Sequence, residues 1–439
     1  MPDAGKMHQE FLASRRKHVL MITNHGIHQW RIIPGLPDTG GQNVFVNQFT
    51  AALVELGFKI TIVNRGGYPH PVTGECRRGL HYKGKHRRIL YLEDEVSNFI
   101  RKEDMHERLP NLAESLKCFL DAERGEVGLI ISHYWDGAKL GALYNQSLRE
   151  RVKHVWVPHS LGAIKKRNVA KEKWAGLRID ERIAAEQELI PEMDGIAATS
   201  AAIGRALAED YECTKPPLFL PPCVDTERYY PRKVSNRHDV WGFLGERAEL
   251  SPEEVRRRKI VTEISRTDTT KRKSVLLKAF AQARKRTPDS LLIISIDGRE
   301  KELSGMLKGL IRTFGLQNHV AVVGYVWDLL PTIYAITDIY CTPSVMEGFG
   351  MSAQEAAASG VPVVASRLVP FATEYLAPAK GAIVVPADDV DGFAHSLETL
   401  LTDDDLRKEM GERAYHATIP RFTWRDRVTA FLDEIEFKR

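Results

Sequence analysis

Seven residues separate Glu347 from Glu355 in the stretch EGFGMSAQE. The first carboxylate follows an apolar run that ends in Pro343-Ser344, and the second falls on a helix expected over 352–359. A loop carboxylate and a helix carboxylate turned toward one strand end could bind the hydroxyls of a sugar and a ribose. Paired surface glutamates are common, so the spacing alone carries little. Upstream, Arg266-Thr267-Asp268-Thr269-Thr270-Lys271 directly follows the run at 259–264. An arginine and a lysine at a strand's carboxyl end suit a diphosphate, because an open parallel sheet forms its crevice there; a plain charged loop is the alternative. Near the start of the chain, Asp38-Thr39-Gly40-Gly41-Gln42 precedes a helix. Glycines there let the backbone approach a phosphate at the helix N-terminus, and they serve a plain turn equally well. The pattern G-x-G-x-x-G is absent, and the second strand ends in Asn64-Arg65 without the acidic residue that a dinucleotide ribose takes. Both absences argue against a nicotinamide enzyme.

The elements that must position these residues follow one rhythm, a short apolar run and then an amphipathic stretch. Strands are expected at 18–22, 59–63, 89–92, 128–132, 154–158 and 195–199, with a helix at about 43–56. Prolines 216, 217, 221, 222 and 231 punctuate the middle, after which strands are expected at 259–264, 290–296, 320–323, 338–342 and 361–365. Parallel strands joined by helices form an open doubly wound sheet, since each crossover helix must cover a sheet face. The expectation is an α/β protein of two Rossmann-like halves joined near 221–232, with a last helix at about 424–437 free to pack on either. Asp403-Asp404-Asp405 reads as a helix N-terminal cap rather than a metal-binding run.

Composition bounds the rest. A chain of 439 residues is too long for one core, so two domains of about 200 residues each are expected. Hydrophobic content of 43% and charged content of 27% describe an ordinary globular protein. A net charge of +4 gives no case for nucleic acid, and the basic runs at 83–88 and 256–259 read as solvated surface. Five scattered cysteines, an odd count without C-x-x-C spacing, fit a reducing compartment rather than a disulfide framework or a zinc site. Residues 1–16 carry charges throughout, unlike a signal peptide, and no run nears eighteen apolar residues. A cytoplasmic protein without a membrane span is expected.

In its context, EGFGMSAQEAAASGVPVVAS with Arg266 and Lys271 upstream and Gly40-Gly41 near the start closely resembles the retaining nucleotide-sugar glycosyltransferases of family 4. The resemblance runs from about His18 to the C-terminus. It implies a GT-B fold, in which two Rossmann-like domains face each other across a deep cleft and a C-terminal helix crosses back to the first. Residues 1–225 with 421–439 would bind the acceptor, and 226–420 the nucleotide-sugar donor. The segment FTWRDRV at 422–428 looks like the crossing. By the same resemblance Arg266 and Lys271 would neutralise the leaving diphosphate, Glu355 would hold the ribose and Glu347 the donor sugar. The amides of Phe349, Gly350 and Met351 would lie near sugar and phosphate, and no divalent metal or other cofactor would be needed.

A narrower resemblance is to the sucrose-phosphate synthase group with its mannosylfructose-phosphate relatives. Ser132-His133-Tyr134-Trp135-Asp136-Gly137 matches that group's H-Y-x-D-[AG] segment, and Pro158-His159-Ser160-Leu161-Gly162 its G-H-S-L-G segment. The match implies that His159 reaches the donor sugar and reacting centre, and that Lys165 and Arg182 bind the phosphate of fructose 6-phosphate. Arg182 taken alone reads as an ion pair with Glu186 on a helix surface. Trp135, Pro158 and Cys223 depart from the group's pattern, Trp135 within the acceptor wall. The implied partners are a nucleotide sugar and a sugar phosphate. Transfer to free fructose, transfer to an inositol phosphate, and a binding protein without catalysis stay open, as do the base, the hexose (glucose or mannose) and the oligomeric state.

Overall fold

The computed structural model describes residues 4–33, 36–298, 300–324 and 326–438, so Pro34 and Gly35 of the first Gly/Pro-rich loop lie outside the described residues. It divides into two compact units, Met1–Cys223 with Trp424–Arg439, and Val224–Thr423.

The first unit is an eight-stranded sheet. Its strands are β1 (His18–Ile22), β2 (Lys59–Arg65), β3 (Gly79–Tyr82), β4 (Arg87–Leu92), β5 (Leu129–His133), β6 (His154–Val157), β7 (Gly195–Ala198) and β8 (Leu218–Phe219), in the order β3-β4-β2-β1-β5-β6-β7-β8. All pairs are parallel except β3 with β4. Both faces are buried, which explains the continuous apolar runs. Val19 and Met21 pack with Phe45 and Phe49 on one side, and Leu20 and Ile22 with Leu112 and Leu116 on the other. The helix Trp424–Glu434 belongs to this unit: Val428, Phe431 and Leu432 enter the core against the helix Gly41–Glu55.

The second unit has six strands, β9 (Lys259–Glu263), β10 (Ser290–Ser295), β11 (Val320–Val323), β12 (Ile339–Thr342), β13 (Val363–Ser366) and β14 (Ala382–Val385), in the order β11-β10-β9-β12-β13-β14. Every pair is parallel, the doubly wound arrangement of a dinucleotide-type fold. The order reverses between β9 and β12, and ligands bind outside the carboxyl ends at such a point.

Several elements are absent from the sequence expectation. The helix Ala4–Ala13 buries only Phe11, and β3, β8 and β14 are edge strands of only two to four residues, too short to show a period. The solvated-surface expectation for 83–88 fails at Arg88. Alternation along β4 turns its side chain inward, where it is 0% exposed, ion-paired with Glu123 and 3.9 Å from the centre of the Phe11 ring. Asp403 does cap the helix Asp404–Thr418, its carboxylate accepting the Leu406 N–H at 2.9 Å.

Candidate active site

In the second unit the switch point gathers the residues singled out above. The loop after β9 carries Arg266 and forms a short turn, Thr269–Lys271, capped by Asp268, whose carboxylate accepts the Thr270 N–H at 2.9 Å. The loop after β12 is tied to it by the Val345 N–H, which donates to the Thr270 carbonyl at 2.8 Å. The result is a direct ion pair: Lys271 Nζ lies 2.5 Å from Glu347 Oε1, with the lysine 9% and the glutamate 20% exposed. Arg266 extends outward, half exposed, 3.5 Å from Asp268.

A second lysine two positions on was not singled out for a role. Lys273 is fully buried, 2.9 Å from Glu263, and donates to the carbonyls of Ser295 at 2.5 Å and Ser265 at 3.1 Å. It fastens the first turn of the loop that bears Arg266. Lys271, Arg272 and Lys273 are consecutive, and nothing in that spacing separates the anchoring Lys273 from Lys271, which faces Glu347.

Gly350 opens the helix Met351–Ala358 at φ +110°, and a Cβ there would stand 2.6 Å from Val369 Cγ1. Only glycine fits that turn. Phe349 packs its ring among Phe371, Tyr375 and Phe422, which holds the backbone of the turn rather than offering a side chain to a ligand. Met351 is the first residue of the helix, whose early N–H groups lack helical partners. Glu355, one turn further on, is half-buried, and burial pushes its carboxyl up to about 8 against the pull of Arg228.

In the first unit the strand order reverses between β1 and β5. His25, beyond β1, meets Asp136 at 2.8 Å and the Tyr134 ring edge-on at 4.6 Å. Tyr134 (φ +64°) and His159 (φ +55°) both adopt left-handed backbone at strand ends, a strain that concentrates at functional positions. His133 Nδ1 and His159 Nε2 are 2.8 Å apart, and burial together with His25 lowers His159 to about 3. Gly40 caps the helix Gly41–Glu55 in extended backbone, and a Cβ on it would meet nothing within 4 Å. The fold therefore does not require that glycine. Gln42 donates to Thr23 Oγ1 at 3.1 Å, tying the helix start to the end of β1.

A pocket lies beside Tyr134 and Trp135, with Lys102, Glu103, Lys165, Arg178, Glu181 and Arg182 in its wall. Trp135 is 4% exposed and stacks on His106 at 5.7 Å, so most of its ring belongs to the core. Arg182 does pair with Glu186 at 2.7 Å, but inside the protein rather than on a helix surface. Its other donors go to the Tyr134 hydroxyl and, at 2.6 Å, to the Ser160 carbonyl. Lys165 reaches Glu103 at 3.4 Å, and burial lowers it to about 8. Lys102 and Arg178 join the cavity without having been marked in the sequence. Lys102 comes from a short turn between β4 and the helix Leu109–Glu123, about sixty residues from Lys165, so no local spacing links them. Among the described residues no group of three or more His, Cys, Asp or Glu is arranged to hold a metal ion, and no helix is long and apolar enough to cross a membrane.

Two nucleotide-type sheets, each with its chemistry-bearing side chains at the switch point, define a GT-B protein. Residues 39–228 match the model described as Glycosyltransferase Family 4, and residues 247–417 match Glycosyl transferases group 1. The chain belongs to the family 4 glycosyltransferases and is a hexosyl-transferring enzyme. Mannosylfructose-phosphate synthase of Agrobacterium fabrum is 29% identical over 377 residues, 82% of this chain and 78% of that one. D-inositol 3-phosphate glycosyltransferase of Corynebacterium jeikeium is 29% identical over 405 residues, 89% of this chain and 90% of that one. The structure of sucrose-phosphate synthase from Thermosynechococcus elongatus superposes with a TM-score of 0.80 over 96% of this chain and 98% of that one, at 22% identity, which shows a shared fold.

Proposed function

We propose that the enzyme moves a hexose, with retention at the anomeric carbon, from a nucleoside-diphosphate sugar to a phosphorylated sugar, with fructose 6-phosphate the first candidate. The observation that carries this is the first-unit cavity, where Lys102, Lys165, Arg178 and Arg182 converge from separate segments on one hollow. Ammonium and guanidinium groups converging in this way are what a phosphomonoester needs. The names of both relatives point to phosphorylated acceptors, and inositol phosphate is the second reading because the match to the relative bearing that name covers 90% of that protein.

The second unit takes the donor. Arg266 and Lys271 meet the diphosphate, Glu347 a hydroxyl of the sugar, and Glu355 the ribose, with the amides of Phe349, Gly350 and Met351 beside them. As the anomeric carbon–phosphate oxygen bond breaks, the acceptor oxygen bonds to the same face, and its proton passes to the departing phosphate. Stabilisation comes from Arg266 and from Lys271 once it turns from Glu347 to the developing diphosphate charge, with the basic pair in the role that a metal serves elsewhere. We assign His159 to the donor sugar and reacting centre, and Tyr134, Trp135 and Asp136 to the acceptor. Gly40, Gly41 and Gln42 offer backbone close to the donor. The five free thiols accord with a cytoplasmic setting.

The test compares acceptors with and without the 6-phosphate, following release of nucleoside diphosphate. A strong preference for the phosphorylated acceptor is expected, and lost in Lys165→Ala. Equal rates on both acceptors would overturn the reading. Thermal shifts with UDP-, ADP- and GDP-sugars identify the base, since a ligand of the folded state raises its melting point.

A further inference from the structure

The cavity described above contains an anion of its own. Glu103 sits on the short turn Lys102–Asp104 with its side chain 7% exposed. A single oxygen, Oε1, lies 3.4 Å from Lys165 Nζ and 3.5 Å from Lys102 Nζ, while Oε2 lies 3.4 Å from Arg101. Burial alone would raise this carboxyl, yet Lys102 and then Lys165 hold it below the usual glutamate value.

The other carboxylates nearby are fixed or outlying. Asp38 accepts the Lys102 backbone N–H at 3.0 Å as well as its ammonium. Glu186 accepts the Gly162 N–H at 2.8 Å and the Tyr211 hydroxyl, which locks it into the packing beneath Arg182. Glu181 is largely exposed and serves Arg178. Glu103 differs from all three. It is buried, and besides its own backbone N–H its side chain meets the flexible ends of two lysines and of Arg101, itself more than half exposed. A carboxylate placed among cations in this way contributes little net stability, because desolvation offsets the attraction.

We propose that Glu103 occupies the seat of the acceptor's phosphate in the unliganded enzyme and is a specificity-determining residue, which an incoming dianion displaces from Lys102 and Lys165. The proposal rests on the phosphorylated-acceptor reading and goes beyond it. A phosphate dianion offers three oxygens and nearly two charges against the single charge of a carboxylate, so it wins the exchange. A sugar hydroxyl brings no charge and leaves Glu103 in place. A monoanionic carboxylate competes on even terms. Discrimination thus comes from a built-in competitor as much as from attraction, the repulsive half of a specific site. Arg101 already contacts Oε2 and gives the displaced carboxylate a partner near the surface.

The experiment is a calorimetric titration of the full chain at pH 7 with inorganic phosphate, for wild type, Glu103→Gln, Glu103→Asp and Lys102→Ala, each checked by thermal unfolding. Glu103→Gln removes the competing charge while keeping the shape, and its affinity for phosphate is expected to rise about tenfold. Glu103→Asp withdraws the carboxylate by one methylene and should fall between, which keeps the test available if the glutamine variant fails to fold. Lys102→Ala should lose phosphate binding. Unchanged or weaker binding in both Glu103 variants, with the loss in Lys102→Ala intact, overturns the competitor role and leaves the phosphate seat standing. Absence of phosphate binding in wild type and every variant removes the seat itself, and the proposal with it.

Discussion

Lys271 Nζ and Glu347 Oε1 are held 2.5 Å apart at the switch point of the second sheet. The lysine comes from the loop after β9 and the glutamate from the loop after β12, so the contact closes the two sides of the crevice on each other. In the proposed reaction these groups part: the ammonium turns to the diphosphate and the carboxylate to a sugar hydroxyl. Replacing Lys271 by alanine should cut turnover by about 10²-fold or more, the scale of losing one strong contact to a developing anion. Thermal unfolding of the variant should stay close to wild type, since Glu347, 20% exposed, keeps access to water without its partner. Near-normal release of nucleoside diphosphate by Lys271→Ala would end its assignment to the leaving group.

The candidate site of the second unit was legible because its residues lie in two short contiguous segments. Arg266 to Lys271 and Glu347 to Glu355 each follow a strand whose apolar run announces itself, and the strand order then brings their loops together. The pocket of the first unit was less so. Tyr134, Lys165 and Arg182 could be named from local matches, but Lys102 and Arg178 reach the same cavity through tertiary packing of segments far apart in the chain. Arg88 and Lys273 show a related limit. A buried arginine or lysine looks like surface until its partner, Glu123 or Glu263, is placed beside it. Edge strands such as β8, two residues long, carry no periodicity at all.

Two partly buried groups should give the two substrates opposite dependences on pH. Lys165 is lowered to about 8, first by burial and then by Lys102. A phosphate favours its charged form, so acceptor KM should rise as pH increases through about 8. Glu355 is raised to about 8 by burial. Ribose hydroxyls donate to its ionised form, so donor KM should fall as pH approaches 8 from below and level off above it. Steady-state KM values across pH 6–9 check both. Lys165→Ala should flatten the acceptor dependence only, and Glu355→Gln the donor dependence only. Parallel pH trends for the two substrates would contradict the assignment.

Phe431 tests how firmly the chain's last helix belongs to the first unit. Its ring is 0% exposed and meets Phe49 edge-on at 5.8 Å, beside Trp424 stacked on the same Phe49. Phe431→Ala should destabilise that unit by about 3–5 kcal/mol, the usual cost of an emptied aromatic site. Chemical denaturation followed by tryptophan fluorescence measures it. A loss below about 1 kcal/mol would mean that the helix is not anchored through this ring.

His159 is expected to act as a neutral group with a defined tautomer. Its Nε2 lies 2.8 Å from His133 Nδ1, and the other nitrogen of His133 abuts the Met21 sulfur. A thioether only accepts, which assigns the His133 hydrogen to Nε2 and leaves its Nδ1 to accept from His159. His159 therefore donates inward through Nε2–H and turns a lone pair on Nδ1 to whatever hydroxyl approaches. Burial lowers His159 to about 3 and His133 well below its ordinary value, so neither charges in the working range. Nitrogen NMR of histidine-labelled protein should show His159 protonated at Nε2 alone from about pH 5 to 8, where an unperturbed imidazole would titrate. His133→Phe removes the acceptor that fixes this arrangement. It should lower kcat more than it raises the KM of either substrate, with the His159 signals then reporting both tautomers. A titrating His159 in wild type, or a His133→Phe enzyme with unchanged kcat, would show that the pair only fills space.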